Sequence, residues 1–119
     1  MNQRPNEVKI ENHGDILLLD IRGDVTAFSE PSLNSAYNSA KQSSPKKIIL
    51  KFEDAAYINS GGIAVLIQVL AQTRRNNQKI GITGLSAHFK KVFNMVGITK
   101  FATIYPTQQD ALSAMAALS

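Results

Sequence analysis

"YINSGGIAVL", residues Tyr57 to Leu66, is the stretch on which the fold turns. A lone serine stands between an asparagine and two glycines, and an apolar run follows at once. Ile63, Leu66, Ile67 and Leu70 recur at i, i+3, i+4 and i+7, the spacing of an amphipathic helix. Ser60 is a fitting N-cap for it, because a hydroxyl accepts from an orphan first-turn N–H. Just upstream, Lys46 to Phe52 (KKIILKF) reads as a strand with a buried centre. Just downstream, Lys79 to Thr83 (KIGIT) reads as another. Strand, helix and strand in succession call for a sheet with parallel pairings and helices against it.

The flanks extend this pattern. Val8 and Ile10 alternate with Lys9 and Glu11, which predicts an edge strand. The turn formers Asn12-His13-Gly14-Asp15 separate it from the nearly continuous apolar run Ile16 to Ile21. That run predicts a strand buried on both faces and, with the first, a β-hairpin with a four-residue connection. Ser29-Glu30-Pro31 opens a helix, with Ser29 as N-cap and Leu33, Ala36, Tyr37 and Ala40 inward. Ser43-Ser44-Pro45 stops it. Arg74-Arg75 suit the C-terminal end of the second helix. Phe89, Val92, Phe93 and Val96 mark a third helix, closed by Gly97. Ala102 to Tyr105 is a short strand, and Thr107 caps a last helix with Leu112, Met115 and Ala116 inward. The predicted order is β-β-α-β-α-β-α-β-α. The fold class is α/β, a small mixed β-sheet with an opening hairpin and about four packed helices.

The chain of 119 residues fits one domain, expected over residues 7–118, with residues 1–6 frayed. It has no cysteine, so disulfides and thiolate metal sites are excluded. The opening MNQRPNEVK lacks the apolar core of a secretory signal, and no apolar stretch is long enough to cross a bilayer. A cytoplasmic protein without membrane insertion is the expectation. Residues 1–54 carry seven basic and eight acidic residues, whereas residues 55–119 carry six basic residues and only Asp110. This basic half is a solvated face or one that meets an acidic partner. It lacks the aromatic-plus-Arg pattern of nucleic-acid binding, and direct nucleic-acid contact is not expected.

Three features point beyond capping at Ser60. Gly61 and Gly62 are poor residues for a helix, costing about 1 kcal/mol each relative to Ala in a helix interior, and they leave the hydroxyl open to a large approaching object. A helix N-terminus favours a negative group such as a phosphoryl. The connection also lies past the C-terminal end of a strand, where open α/β sheets place working loops. An enzyme is the weaker alternative. The hydrolase elbow wants Gly two residues before the serine, where this chain has Ile58. His88 is the only downstream histidine, and Asp110 is the only acid beyond Gly61. The pair Glu53-Asp54 reads as a solvated connection. No metal-ligand spacing, phosphate-binding fingerprint or cofactor motif is present.

"GDVTAFSEPSLN" (23–34), "YINSGGIAVL" (57–66) and "GLSAHFKKVFNMVGITKFATIYPTQQDAL" (84–112) stand in the order found in STAS domains. Over about residues 7–118 the chain resembles the free-standing bacterial anti-sigma-factor antagonists of the sporulation and stress-response type. The resemblance implies the STAS fold and a non-enzymatic, partner-switching role in transcription regulation. It implies as partners an anti-sigma factor that is itself a serine kinase, and a PP2C-type phosphatase. It places phosphorylation at Ser60, within a partner-binding loop that includes Asn59, Gly61, Gly62, Asp24 and Thr26. The family commonly has Asp where this chain has Asn59, and many members have Asp at the position of Thr26. Both differences remove negative charge near the serine. Gly61 stands where many members carry a second hydroxyl. A different role implied by the same family is a constitutive scaffold subunit of a signalling assembly or transporter complex.

Overall fold

Residues 6–54 and 56–118 are described by a computed structural model. Strands β1 (Glu7–His13) and β2 (Ile16–Arg22) form an antiparallel hairpin. Its connection is two residues rather than four, because Asn12 and His13 belong to the strand. Gly14 sits at φ 69°, the positive value that the first central position of a type II′ hairpin turn requires. From β2 onward the sheet is parallel. Strand β3 (Lys47–Phe52) pairs with β2, β4 (Lys79–Thr83) with β3, and the short β5 (Thr103–Ile104) with β4. Among the described residues the strand order is β1-β2-β3-β4-β5, with the hairpin strand at one edge. The four helices are α1 (Glu30–Lys41), α2 (Ser60–Arg75), α3 (Ala87–Met95) and α4 (Gln108–Ala116). Element order and fold class are those read from the sequence.

The pleat of β2 explains its continuous apolar run. Leu17, Leu19 and Ile21 join the main core with Leu33 and Tyr37 of α1, Leu66 and Leu70 of α2, and Phe93 of α3. Ile16 and Leu18 face the other way, into a smaller cluster with Ile49, Ala111 and Met115 under α4. Phe52 and Phe93 meet edge to face, with centroids 6.2 Å apart.

Several sequence expectations are corrected. The buried face of α2 is Gly62, Val65, Leu66, Val69, Leu70 and Thr73, so Ile63 and Ile67 lie only at its margin. Periodicity fixes the width of an apolar stripe, but the neighbour in contact fixes its phase. Val96 is exposed at the end of α3, where Gly97 at φ 84° turns the chain away. Ala116 faces solvent, and Ala111 takes its place beside Met115. Of the expected frayed segment 1–6, residues 1–5 lie outside the described residues. Asn6 is held: its Nδ2 donates to the carbonyls of Arg22 (3.0 Å) and Asp24 (2.9 Å).

Candidate functional site

The sequence placed the cap of α2 on Ser60, and the structure places it one residue earlier. Asn59 has extended backbone, and its Oδ1 accepts from Gly62 N at 2.9 Å. Its own carbonyl accepts from Ile63 N at 2.9 Å. Asn caps a helix as well as Asp or Ser does, so the exchange of acid for amide leaves the helix mouth intact. Ser60 is therefore the first helical residue, and it is exposed. Its hydroxyl is released from capping. The amides of Ser60 and Gly61 precede any intrahelical acceptor and, among the described residues, are left for solvent or a ligand.

Asp24 and Thr26, distant in sequence, are brought to the same place. Val25 and Ile58 form an isolated parallel bridge, with Val25 N donating to Tyr57 O at 2.9 Å and Asn59 N donating to Val25 O at 3.1 Å. Asp24 Oδ1 accepts from Tyr57 N at 2.9 Å. The loop after β2 and the loop before α2 are thus laced into one ribbon. Asp24 is a lacing residue that stays exposed, whereas Thr26 is buried and shapes the loop from within.

The cap expected at Ser29 is likewise displaced. Thr26 caps a 3₁₀ turn, Ala27–Ser29, whose last residue leads directly into α1. Thr26 Oγ1 accepts from Phe28 N at 3.1 Å, and Ser29 Oγ accepts from Thr26 N at 2.9 Å, giving a reciprocal capping box. Ser29 makes no side-chain cap for α1 itself. The signal was present as T-x-x-S, but the usual acid or amide at the fourth position is absent.

The two glycines are small for a reason the sequence did not disclose. A Cβ on Gly62 would lie 2.1 Å from Val25 O and 2.5 Å from Val25 C. On Gly61 it would lie 3.0 Å from Ala27 Cβ and from Ala27 N. The expectation that both residues clear space for an approaching object is corrected on this point. Gly62 is buried, and both glycines let α2 lie directly on the backbone of the 25–27 segment.

Around Ser60 the surface is more apolar than the sequence suggested. Phe28 is 78% exposed at the tip of the 3₁₀ turn, and Tyr57 is 54% exposed just before the cap. Tyr57 also packs edge to face on Phe89 of α3, with centroids 5.9 Å apart, so α3 borders the site. Neither aromatic belongs to a periodic run, which is why pattern reading passed over them. Glu53 is more than solvated connection: its Oε2 accepts from Gly23 N at 3.0 Å, and its Oε1 lies 3.6 Å from Arg22 Nη1. Arg22 also grips the buried Asp20 through Nε (3.1 Å) and Nη2 (3.2 Å). The hydrogen bond and charge of Asp20, helped by Glu53, raise the guanidinium pKa above its ordinary value. This network anchors the ends of β2 and β3 from which both loops depart.

His13 is the last residue of β1 and pairs with Glu11 at 3.0 Å, far along the strand from these loops. Among the described residues no three His, Cys, Asp or Glu side chains are grouped to hold a metal ion. What the loops present is an exposed hydroxyl at a positive helix end, with two exposed aromatics on the same hydrogen-bonded pair of loops.

The anti-sigma-B factor antagonist of Staphylococcus aureus (strain NCTC 8325 / PS 47) is 20% identical over 78 residues, which are 66% of this chain and 72% of that protein. A crystal structure of an anti-sigma factor antagonist from Mycobacterium paratuberculosis superposes with a TM-score of 0.79 at 19% identity, over 97% of this chain and 99% of that one. The anti-sigma factor antagonist SpoIIAA in its unphosphorylated form gives a TM-score of 0.70 at 12% identity, over 94% of this chain and 100% of that one. These structural likenesses speak to the fold. The family model for the STAS domain matches residues 7–111, and on that match the chain belongs to the STAS domain family.

Proposed function

We propose that this protein is an anti-sigma-factor antagonist, a cytoplasmic, non-enzymatic switch that binds an anti-sigma factor acting as its serine kinase. In this reading the unphosphorylated form holds the anti-sigma factor and so frees a sigma factor. Phosphorylation of Ser60 ends the association, and a PP2C-type phosphatase restores it. The observation that carries the reading is the exposed Ser60 at the first position of α2, with Asn59 taking the cap. A hydroxyl committed to capping would be withheld from a kinase. Curated relatives named as anti-sigma-B factor antagonists support it, and among the described residues no helix is long and apolar enough to cross a membrane.

The physics of the switch is local. A phosphoryl group adds about −1.5 to −2 charges. On Ser60 it would sit at the positive end of α2 near two uncommitted amides, which stabilises the free protein by about 0.3–1 kcal/mol. Against a partner surface fitted to a neutral hydroxyl and apolar Phe28 and Tyr57, burying the dianion costs several kcal/mol. A difference of about 4 kcal/mol weakens binding almost a thousandfold. No refolding is needed.

Peptide mass spectrometry on protein purified from its own cells tests the reading, together with capture of the partner by wild type, Ser60→Ala and Ser60→Asp. Phosphate on Ser60, with capture kept by Ser60→Ala and lost by Ser60→Asp, is the expected result. A bare Ser60 under all growth conditions, with equal capture by all three proteins, would reject the switch and leave a constitutive scaffold.

A further inference from the structure

The outer edge of β1 is open: β1 ends the strand order, and among the described residues nothing pairs with that edge. The hairpin register decides which main-chain groups it presents. His13 and Ile16 flank the two-residue turn, so they form a hydrogen-bonded pair. Hydrogen-bonded and non-bonded pairs alternate from there, so Glu7, Lys9, Glu11 and His13 turn their amides and carbonyls toward β2. Val8, Ile10 and Asn12 turn theirs outward. Ile10, at the middle of the strand, is 41% exposed.

We propose that this edge pairs antiparallel with the same edge of a second copy of the chain, centred on Ile10. Directly opposed residues must share a face, so the register admits only a few choices. Centred on Lys9, the pairing would oppose Lys9 to itself and Glu7 to Glu11. Centred on Glu11, it would oppose Glu11 to itself and Lys9 to His13. Centred on Ile10, it opposes Lys9 to Glu11 and Glu7 to His13 on one face, each twice by symmetry. On the other face it opposes Ile10 to Ile10 and Val8 to Asn12, and these are the pairs whose main-chain groups point outward. A central lysine ordinarily guards an edge strand against such pairing. Here Glu11 stands opposite it, twice by symmetry, in the register that overlaps the whole of Glu7–His13.

The joined sheet places the parallel strands of the two copies in opposite directions. The two Ser60 loops then lie at opposite ends and both stay accessible. One dimer could engage two partners at once.

Sedimentation velocity on the full chain, across concentrations from about 5 to 500 μM, tests this, since so small an interface belongs to the weak class. Wild type is expected to shift from monomer to dimer within that range. Lys9→Glu and Glu11→Lys each turn two symmetry-related attractions into repulsions and should weaken the dimer about tenfold or more. The double variant Lys9→Glu/Glu11→Lys restores opposite charges and should recover it. Circular dichroism confirms that each variant folds. A wild type that stays monomeric throughout, a dimer indifferent to both single reversals, or a folded double variant that fails to recover would each overturn the proposal.

Discussion

Gly62→Ala is the substitution that most directly tests how the two site loops are held. In an open first turn of a helix, Gly→Ala stabilises by about 0.4–1 kcal/mol, through lower unfolded-state entropy and better helix propensity. The structure gives the opposite sign here. The new methyl would lie 2.1 Å from Val25 O, 2.5 Å from Val25 C and 3.0 Å from Thr26 N. All three are backbone atoms, so no rotamer change relieves the overlap. Val25 O also accepts from Asn59 N, and Val25 N donates to Tyr57 O, so a retreat of the loop stretches the ribbon beside the serine. Overpacking of this kind costs about 1–3 kcal/mol. Against the gain in propensity, the net expectation is a loss of about 1–2 kcal/mol, or a fall in Tm of roughly 4–8 °C for a chain of this size. Gly61→Ala, whose Cβ would meet Ala27 at 3.0 Å, should fall between that value and neutrality. Thermal and urea unfolding followed at 222 nm measure both. A Gly62→Ala protein as stable as wild type, or more so, would show that the glycine is not required by the close approach of α2 to Val25.

Asn59→Ala removes the bond to Gly62 N and should cost about 1 kcal/mol, whereas Asn59→Asp keeps the cap and should be neutral or gain about 0.3–1 kcal/mol from the helix dipole. Equal denaturant midpoints for the two variants would count against Asn59 as the cap. Ser60→Ala should change stability by less than about 0.5 kcal/mol, because the side chain is exposed and bonded to nothing among the described residues. A larger loss in urea unfolding would mean that the hydroxyl carries structure after all. Phe93→Ala empties a fully buried site against Phe52 and should cost about 3–5 kcal/mol, read from the same unfolding curves.

The place of Ser60 at the mouth of α2 was legible because its signal is local. A serine before two glycines, between a buried strand and an amphipathic run, marks the mouth of a helix without any knowledge of the rest. Which atom caps that helix was not legible. Asn59 and Ser60 are both good caps, and one step of backbone phase, set by the bonds to Val25, chooses between them. Thr26 was marked only through the family resemblance, and its burial and its exchange with Ser29 depend on how the 3₁₀ turn folds back. Phe28 and Tyr57 carried no signal, because an exposed aromatic outside a periodic run looks like any other loop residue.

The sequence by itself determined the order of strands and helices, the double burial of β2, the left-handed turn at Gly97 and the family motif around Ser60. Each of these rests on periodicity or backbone preference within a few residues. Tertiary structure alone decided the phase of α2, the identity of its cap and the meaning of its glycines. Those depend on Val25, Thr26 and Ala27, which contribute backbone atoms from the loop after β2. A carbonyl carries no side-chain pattern, so contact with it leaves no trace in the sequence except the absence of a Cβ.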